Sequence, residues 1–411
     1  MIDGNNCIGC VACMKVCPTK AIRIKNRKAN ILYSQCIDCG ECLRVCPYNA
    51  VVPITTTRAD LKKYKYLVAL PSPVLYSQFG LNVMPHEILP LLKEFGFNYV
   101  YDLTTMCETT SLVIEEYLTE YKSPRPMISS ACPVVVRLIQ RLFPSLCELI
   151  IPVEAPREVA ANDLRKEISK KENIRQEDIG IIHITPCAAK MVSINYPASM
   201  KKSFLDGAIS IHEIFNTMMK KLKESPPPHI LQIYNQISGI GLGWAIPGGE
   251  VRSEKHHSIA VSGIKKTIEI LKDVEAGKLR NIEYLECNIC PDSCLGGPLT
   301  VENRFIAKSN IQMLIRMYGG KRTVNDLTVK RLYKSGLFAF ESKVKPNPFP
   351  PLDKDRARAI EKLKLKEETI KKLPGIDCGV CGAPDCKTLA DDIARGKAKL
   401  TNCIFIREKS K

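Results

Sequence analysis

Apolar residues along this chain recur with two different periods, and the places where the period changes divide it. Between residues 58 and 345, short runs rich in Val, Ile, Leu and Tyr alternate with longer stretches whose apolar positions return every three to four residues. The runs 66–71, 98–102, 126–131, 180–186, 258–263 and 282–287 predict strands. The stretches 86–95, 134–142, 157–171, 212–223 and 265–278 predict amphipathic helices. Alternation of this kind implies an α/β layer architecture, in which ligands collect outside the carboxyl ends of the strands. A proline-rich run from Lys345 to Pro351 closes the region. The expected organisation is a repeat-containing unit at 1–57, the α/β domain at 58–345, a linker with a basic helix at 346–373, and a small unit at 374–411.

No apolar run is long enough to span a bilayer, and the opening Met1-Ile2-Asp3-Gly4 lacks the basic and apolar regions of a signal peptide. The expectation is a soluble cytoplasmic protein with no membrane partner. Cysteine then changes the picture. There are 19 in 411 residues, clustered at short regular spacings, and a reducing compartment favours metal over disulfide for such clusters. The six histidines lie outside the clusters, which argues against mixed zinc sites and haem.

Two cysteine runs repeat each other. Cys7, Cys10, Cys13 and Cys17 before Pro18 return as Cys36, Cys39, Cys42 and Cys46 before Pro47. This is the spacing of bacterial two-cluster ferredoxins, in which the fourth cysteine of each run serves the other cube. That resemblance implies one 4Fe-4S cluster on Cys7, Cys10, Cys13 and Cys46, and another on Cys36, Cys39, Cys42 and Cys17. A different set, Cys378, Cys381, Cys386 and Cys403, stands near the end, with Gly375, Gly379 and Gly382 allowing backbone amides close to sulfur. It resembles small 4Fe-4S domains of anaerobic electron-transfer proteins, although spacing alone also permits zinc.

The formal charge of +17 invites a nucleic-acid reading. Each oxidised cube on four thiolates carries about −2, so four such sites reduce the balance to roughly +9. The remainder lies on Lys-rich helix faces such as 356–372, read as solvated surface or as a docking face for an acidic partner. No nucleic-acid partner is expected.

Four cysteines of the α/β domain remain as candidate ligands: Cys132 in Ser-Ser-Ala-Cys-Pro, Cys187 in Thr-Pro-Cys-Ala-Ala-Lys, and Cys290 with Cys294 in Cys-Pro-Asp-Ser-Cys-Leu-Gly-Gly. Cys132 and Cys187 each end a predicted strand where a helix begins, a position that favours anionic groups. These three segments resemble the signature loops of iron-iron (FeFe) hydrogenases. Ala69-Leu70-Pro71-Ser72, the pair Gly248-Gly249, and Gly263-Ile264-Lys265 with Leu285-Glu286 resemble supporting segments of the same family. The implied fold is an α/β hydrogenase-type H-cluster domain, preceded by an α+β two-cluster ferredoxin domain and followed by a small C-terminal 4Fe-4S domain.

The resemblance implies a site as well. Cys132, Cys187, Cys290 and Cys294 would hold a 4Fe-4S cube, and Cys294 would bridge it to a two-iron unit with CO, cyanide and azadithiolate. Lys190 would hold one cyanide by a charge-assisted hydrogen bond, and Pro71 and Ser72 would flank the other. The cofactors implied are three 4Fe-4S clusters plus this H-cluster. The activity implied is reversible exchange of dihydrogen with two protons and two electrons, with an open iron position acting as a Lewis acid.

Departures from the family pattern refine the expectation. The usual proton-carrying cysteine is Ala131 here, and alanine relays no proton. Family methionines align with Thr185 and Asn288, a serine and glutamine with Ala155 and Arg157, and an aromatic position with Trp244. Glu115, Glu116 and Glu120 lie on the helix of the family's proton-path glutamates at a different spacing, and read as solvated face. These changes resemble the sensory subclass, a slow enzyme that reports hydrogen or redox state to a ferredoxin-like, other redox or signalling protein; a homodimer is compatible with this reading. Two alternatives stay open: a hydrogenase-like iron–sulfur scaffold, and a pure electron-transfer protein, neither holding a two-iron unit. Cys107, Cys147 and Cys287 are surplus. Cys147 reads as core. Cys107 reads as packing or as a helix-stabilised thiolate, and Cys287 reads as a competitor of Cys290. The glycine run 239–249 does not fit a dinucleotide fingerprint.

Overall fold

Each N-terminal cysteine run winds into a short helix, α1 (Ala12–Val16) and α2 (Glu41–Arg44). Both are entered through a left-handed residue, Val11 at φ 63° and Gly40 at φ 76°, so the sequence repeat is also a structural one. Between them in sequence, β1 (Ile22–Lys25) pairs antiparallel with β2 (Lys28–Ile31). The apolar core of this segment includes Cys7, Cys13, Met14 and Ile22. The computed structural model describes residues 1–121, 124–224, 237–251 and 255–409. They fall into two units, Met1–Ile54 with Asn347–Lys411, and Thr55–Pro346.

The larger unit holds two parallel sheets. In the first, β3 (Tyr66–Pro71), β4 (Tyr99–Val100), β6 (Ile179–Thr185) and β7 (Gly207–Ser210) lie in the order β4-β3-β6-β7. In the second, β5 (Met127–Ile128), β8 (Ser258–Ser262) and β9 (Tyr284–Asn288) lie in the order β5-β9-β8. All pairings in both sheets are parallel. β6 is buried at all seven positions, as expected when crossover helices cover both faces of a parallel sheet.

Two predicted strands are shorter than expected. The run 98–102 keeps only Tyr99–Val100, because the Asp102 carboxylate takes the Thr104 amide (3.0 Å) and hydroxyl (2.7 Å) and turns the chain into a helix. The run 126–131 keeps Met127–Ile128; the Ser129 amide still donates to the Leu285 carbonyl (3.0 Å), and beyond it the Ser130 hydroxyl ties the chain to the Val153 carbonyl (2.5 Å). The helices that matter for the site are α3 (Thr104–Glu120), α4 (Pro133–Leu142), α5 (Pro156–Glu172), α6 (Ala188–Asn195) and α7 (Arg304–Tyr318).

After Pro346 the chain rejoins the unit of its N-terminal segment. The basic helix α8 (Arg356–Lys372) is largely exposed, with Thr369 its buried residue, and Asp355 caps it through the Arg358 amide (2.9 Å). The cysteine loop and α9 (Cys386–Ala394) follow. Arg23 of β1 meets Asp392 of α9 in a buried two-pronged pair, with Nε–Oδ2 at 2.5 Å and Nη2–Oδ1 at 3.1 Å. The two cysteine-rich ends, read from sequence as separate domains, therefore share one unit. Among the described residues no helix is long and apolar enough to cross a membrane.

Candidate functional site

Parallel strands place their carboxyl ends on one edge, and the register fixes which residues arrive there together. Pro71 of β3 lies opposite Ile184 of β6, and the Ser72 amide donates to the Ile184 carbonyl (3.1 Å). The Pro71-Ser72 corner is thus beside Thr185, just before Cys187. In the second sheet Ile128 pairs with Leu285, so the segment carrying Ala131 and Cys132 leaves beside the segment carrying Asn288 and Cys290.

Local structure then aims the sulfurs. Cys132 and Cys187 are the residues that cap α4 and α6 at their N-termini. The Thr185 hydroxyl donates to the Cys187 carbonyl (2.9 Å) and accepts from its amide (3.2 Å), which sets the turn. Cys290 and Cys294 lie on one loop containing two consecutive left-handed residues, Asp292 (φ 55°) and Ser293 (φ 60°). Ion pairs from Asp292 to Arg304 and Lys308 of α7, each 3.3 Å, hold that reversal. The loop then meets the Cys187 loop directly. A side-chain carbon at Gly297 would fall 2.4 Å from the Pro186 carbonyl oxygen, and Leu299 donates to that oxygen (2.9 Å).

The result is a buried ammonium among thiols. Lys190 of α6 places Nζ 3.9 Å from the Cys294 sulfur. Burial alone would lower the Lys190 ammonium, yet Cys294 and Cys187 outweigh it and hold it above its ordinary value, with a smaller contribution from Cys132. Burial and the neighbouring Cys294 and Cys187 sulfurs push the Cys132 thiol up to about 11, against a smaller opposing effect of the Ile289 amide. Thiols so placed ionise fully only beside bound positive charge. Two further buried polar atoms lack a hydrogen-bond partner among the described residues: Nε of Arg157 and Nε2 of His183. Both side chains feel the Lys190 charge or act on it. A donor set of thiols with an ammonium and uncommitted buried polar atoms fits an anionic iron–sulfur group. Among the described residues no three His, Cys, Asp or Glu side chains are arranged to hold a single metal ion. A cube does not require that arrangement, because it spreads its ligands over four irons.

The other expected residues surround this centre. The Arg157 guanidinium reaches the Ala131 carbonyl (3.5 Å) and the Ser193 hydroxyl (3.4 Å), and Ala155 caps its helix. The Asn288 amide donates to Glu286 (3.1 Å), and the Trp244 indole donates to the Ser111 hydroxyl (2.8 Å). Of the surplus cysteines, Cys147 is core and Cys287 is fully buried within β9, opposite Val261. Cys107 lies inside α3, and burial pushes its thiol well above the ordinary value, so the helix-stabilised thiolate is not what its surroundings favour.

Sequence reasoning missed the buried acids. Glu108 of α3 accepts from the Ser238 and Thr323 hydroxyls and the Thr323 amide (2.7 Å). Glu250 accepts from Ser129 (2.5 Å) and Tyr284 (2.8 Å), and Glu286 accepts from the Gly248 and Glu250 amides (3.0 Å each). The adjoining pair Gly248-Gly249 and the segment Leu285-Glu286 were the available signals. Glu115 is half-buried near Arg322 (3.9 Å), so it is less solvated than its helix position suggested.

In the smaller unit, Cys7, Cys10, Cys13 and Cys46 line one cavity. Cys39 has Cys17, Cys42 and Cys36 as electrostatic neighbours, and Cys381 has Cys378, Cys403 and Cys386. Backbone amides of Ala29, Ala21, Asp38 and Ala50 point at the sulfurs of Cys7, Cys17, Cys36 and Cys46 at 3.2–3.3 Å, contacts that stabilise thiolate ligands.

Comparison with known proteins finds matches in all three segments. Residues 65–252 match the iron only hydrogenase large subunit, C-terminal domain. Residues 1–47 match a 4Fe-4S dicluster domain, and residues 373–405 match an Fe-S cluster family. In its central domain this chain is similar to FeFe hydrogenases. It is 24% identical over 158 residues to iron hydrogenase 1 of Clostridium pasteurianum, covering 36% of this chain and 26% of that protein. It is 28% identical over 211 residues to the periplasmic Fe hydrogenase large subunit of Nitratidesulfovibrio vulgaris, covering 46% of this chain and 49% of that protein. The chain thus spans at most about half the length of these curated relatives. The fold agrees with two solved structures of FeFe-hydrogenase HydA1 from Chlamydomonas reinhardtii, one of them apo: TM-score 0.52–0.53, 15% identity, and 69% of this chain against 95% of each.

Proposed function

We propose that this chain is an FeFe hydrogenase, interconverting dihydrogen with two protons and two electrons at an H-cluster held by Cys132, Cys187, Cys290 and Cys294, and that it works slowly, as a sensor of hydrogen or redox state. The observation that carries the reading is Lys190, a buried ammonium 3.9 Å from the Cys294 sulfur. A buried lysine needs an anionic partner. Thiolate ligands and a cyanide of the two-iron unit are such partners, whereas a bare electron-transfer cube leaves the ammonium one-sided.

When bound, the two-iron unit supplies the Lewis-acid and redox chemistry. The chain's part is orientation and exclusion of water. Lys190 would hold one cyanide of the unit by charge, and the Pro71-Ser72 corner would flank the other. Slowness follows from Ala131, which holds no proton. The Ser129 hydroxyl, which accepts from the Ala131 amide (3.2 Å), is already committed to Glu250. The cofactor set proposed is three 4Fe-4S clusters plus the H-cluster, and the partner a separate redox or signalling protein.

Infrared spectroscopy of matured protein tests this. Bands of metal-bound CO and cyanide are expected, with low but measurable hydrogen turnover by a reduced dye. Their absence after maturation rejects the reading in favour of an iron–sulfur scaffold. Lys190→Met should retain the cube and lose the two-iron unit, so iron content falls by about two per chain while cube absorption persists.

A further inference from the structure

The C-terminal cysteine loop is built onto the ferredoxin segment at its backbone. The Ile24 amide donates to the Gly382 carbonyl (2.9 Å), one residue beyond Cys381. Ile24 also lines the cavity bounded by Cys7, Cys10, Cys13 and Cys46. A single hydrogen bond therefore separates a residue adjoining one cysteine set from a wall of the other. Gly382 has φ 83°, and any side-chain carbon there would stand 2.1 Å from the Ile24 carbonyl oxygen. The sequence reading gave this glycine to the approach of amides to sulfur; the structure shows it also needed for contact with β1.

Further contacts fix the same face. Lys15 lies on α1, between Cys13 and Cys17 in sequence, and its ammonium donates to the carbonyls of Asp377 and of Pro384 (3.0 Å), the residues just before Cys378 and Asp385-Cys386. Lys20 pairs with Asp385 (2.5 Å), and Arg23 with Asp392. The Arg23 guanidinium also donates to the Lys20 and Ile22 carbonyls (2.6 and 3.2 Å), so its planar fork is spent on one geometry. A buried bidentate pair of this kind adds little net stability and a great deal of orientation. Fixed orientation at this face matters if something must cross it. Meanwhile Cys378, Ile376 and Val380 on the loop are exposed, with Ile376 and Val380 at 58% and 62%.

We infer that the C-terminal cluster is wired directly to the ferredoxin cluster of Cys7, Cys10, Cys13 and Cys46 across the Gly382–Ile24 contact, and forms the solvent-side terminal of one relay. The step is a one-electron exchange: a reduced cube on Cys378, Cys381, Cys386 and Cys403 is oxidised as an oxidised cube in the neighbouring cavity is reduced. No bond or proton changes hands. The inference rests on the iron–sulfur content of both segments and is independent of the two-iron unit.

Low-temperature electron paramagnetic resonance of the full, dithionite-reduced chain tests it, using protein carrying cubes alone. In the intact chain the C-terminal cube should show a broadened, fast-relaxing signal from spin interaction with its neighbour. In Cys7→Ala, which removes a ligand of the neighbouring cube, that signal should sharpen and relax slowly. An unchanged width and relaxation in Cys7→Ala overturns the inference. The double variant Arg23→Ala, Asp392→Ala removes both charges together, so neither is left buried alone. With iron content retained, flash reduction at the surface should reach the ferredoxin cubes at least about tenfold more slowly. An unchanged rate in that variant also overturns it. Coupling present without CO and cyanide bands leaves the relay standing and sinks the hydrogenase reading; bands without coupling do the reverse.

Discussion

Glu154 offers a measurement of how dry the region beside Ala131 is. Its carboxyl is 7% exposed, and Oε1 has no hydrogen-bond partner among the described residues. Burial, helped by the neighbouring Glu158 carboxylate, pushes the group from 4.5 up to about 7; Ser199, Arg157 and the Ala155 amide work against that rise but do not cancel it. Below about 4.5 the carboxyl is protonated in both folded and unfolded chains, and stability is independent of it. Between there and about 7 the unfolded chain has lost the proton and the folded chain keeps it. Stability therefore falls as pH rises through this window, and levels off above it. At about 1.4 kcal/mol per pH unit, the loss between pH 5 and 7 is about 2–3 kcal/mol.

Glu154→Gln removes the titration and keeps the shape. The thermal midpoints of the two proteins, measured anaerobically from pH 5 to 8, should diverge in favour of the glutamine variant as pH rises, by about 3–5 °C in total. A difference that stays constant across the range refutes the reasoning, since the carboxyl would then be ordinarily hydrated. A divergence in the opposite direction would mean that Arg157 holds the carboxylate ionised and that burial is the lesser effect.

Other perturbations separate position from chemistry. Gly297→Ala puts a carbon 2.4 Å from the Pro186 carbonyl oxygen at a backbone conformation any residue can adopt, so the Cys290–Cys294 loop must move off the Cys187 loop; destabilisation of about 1–3 kcal/mol and loss of iron from the central site are expected by melting and metal analysis. Tyr284→Phe strips a donor (2.8 Å) from buried Glu250, leaving Ser129 to serve it; a loss of about 1–3 kcal/mol should appear in denaturation, and a loss near zero would mean the carboxyl is protonated and needs fewer donors. Lys20→Ala removes a partly exposed ion pair with Asp385 and should cost no more than about 1 kcal/mol, against several for Arg23→Ala alone, which strands Asp392 in a buried setting.

Cluster cysteines were legible because iron–sulfur ligation forces short spacings that survive without any knowledge of the fold. Cys132 and Cys187 were legible for a different reason: a strand that runs apolar into a cysteine and then into a helix marks the carboxyl edge of a parallel sheet. That the strands divide into two sheets was not legible, because register depends on partners distant in sequence. The buried acids Glu108, Glu250 and Glu286 were hidden by the rule that acids are usually outside. Their burial is made tolerable by serines, a tyrosine and backbone amides from remote segments, and no local pattern announces those. The Arg23–Asp392 pair joins residues 369 apart. Each reads alone as an ordinary surface charge, so the union of the two cysteine-rich ends lay beyond any argument from spacing.

The loop from Cys290 to Cys294 shows how the chain spends conformation to bring two sulfurs onto one target. Beyond β9 the chain does so by reversing through Asp292 and Ser293, both left-handed. Each such residue costs roughly 1–2 kcal/mol unless it is glycine, with aspartate at the low end. Asp292 offsets this through Arg304 and Lys308, pairs that are 20–40% exposed and so individually weak. Conformation and charge can be told apart by substitution. Asp292→Asn keeps the left-handed tolerance and drops the charge. Asp292→Gly frees the backbone entirely, and Asp292→Ala loses both. If conformation governs the loop, chelator-driven iron release from the central site should be fastest in Asp292→Ala, slower in Asp292→Asn, and closest to the parent in Asp292→Gly. Equal lability of the alanine and glycine variants would assign the loop's hold to the ion pairs and not to the backbone.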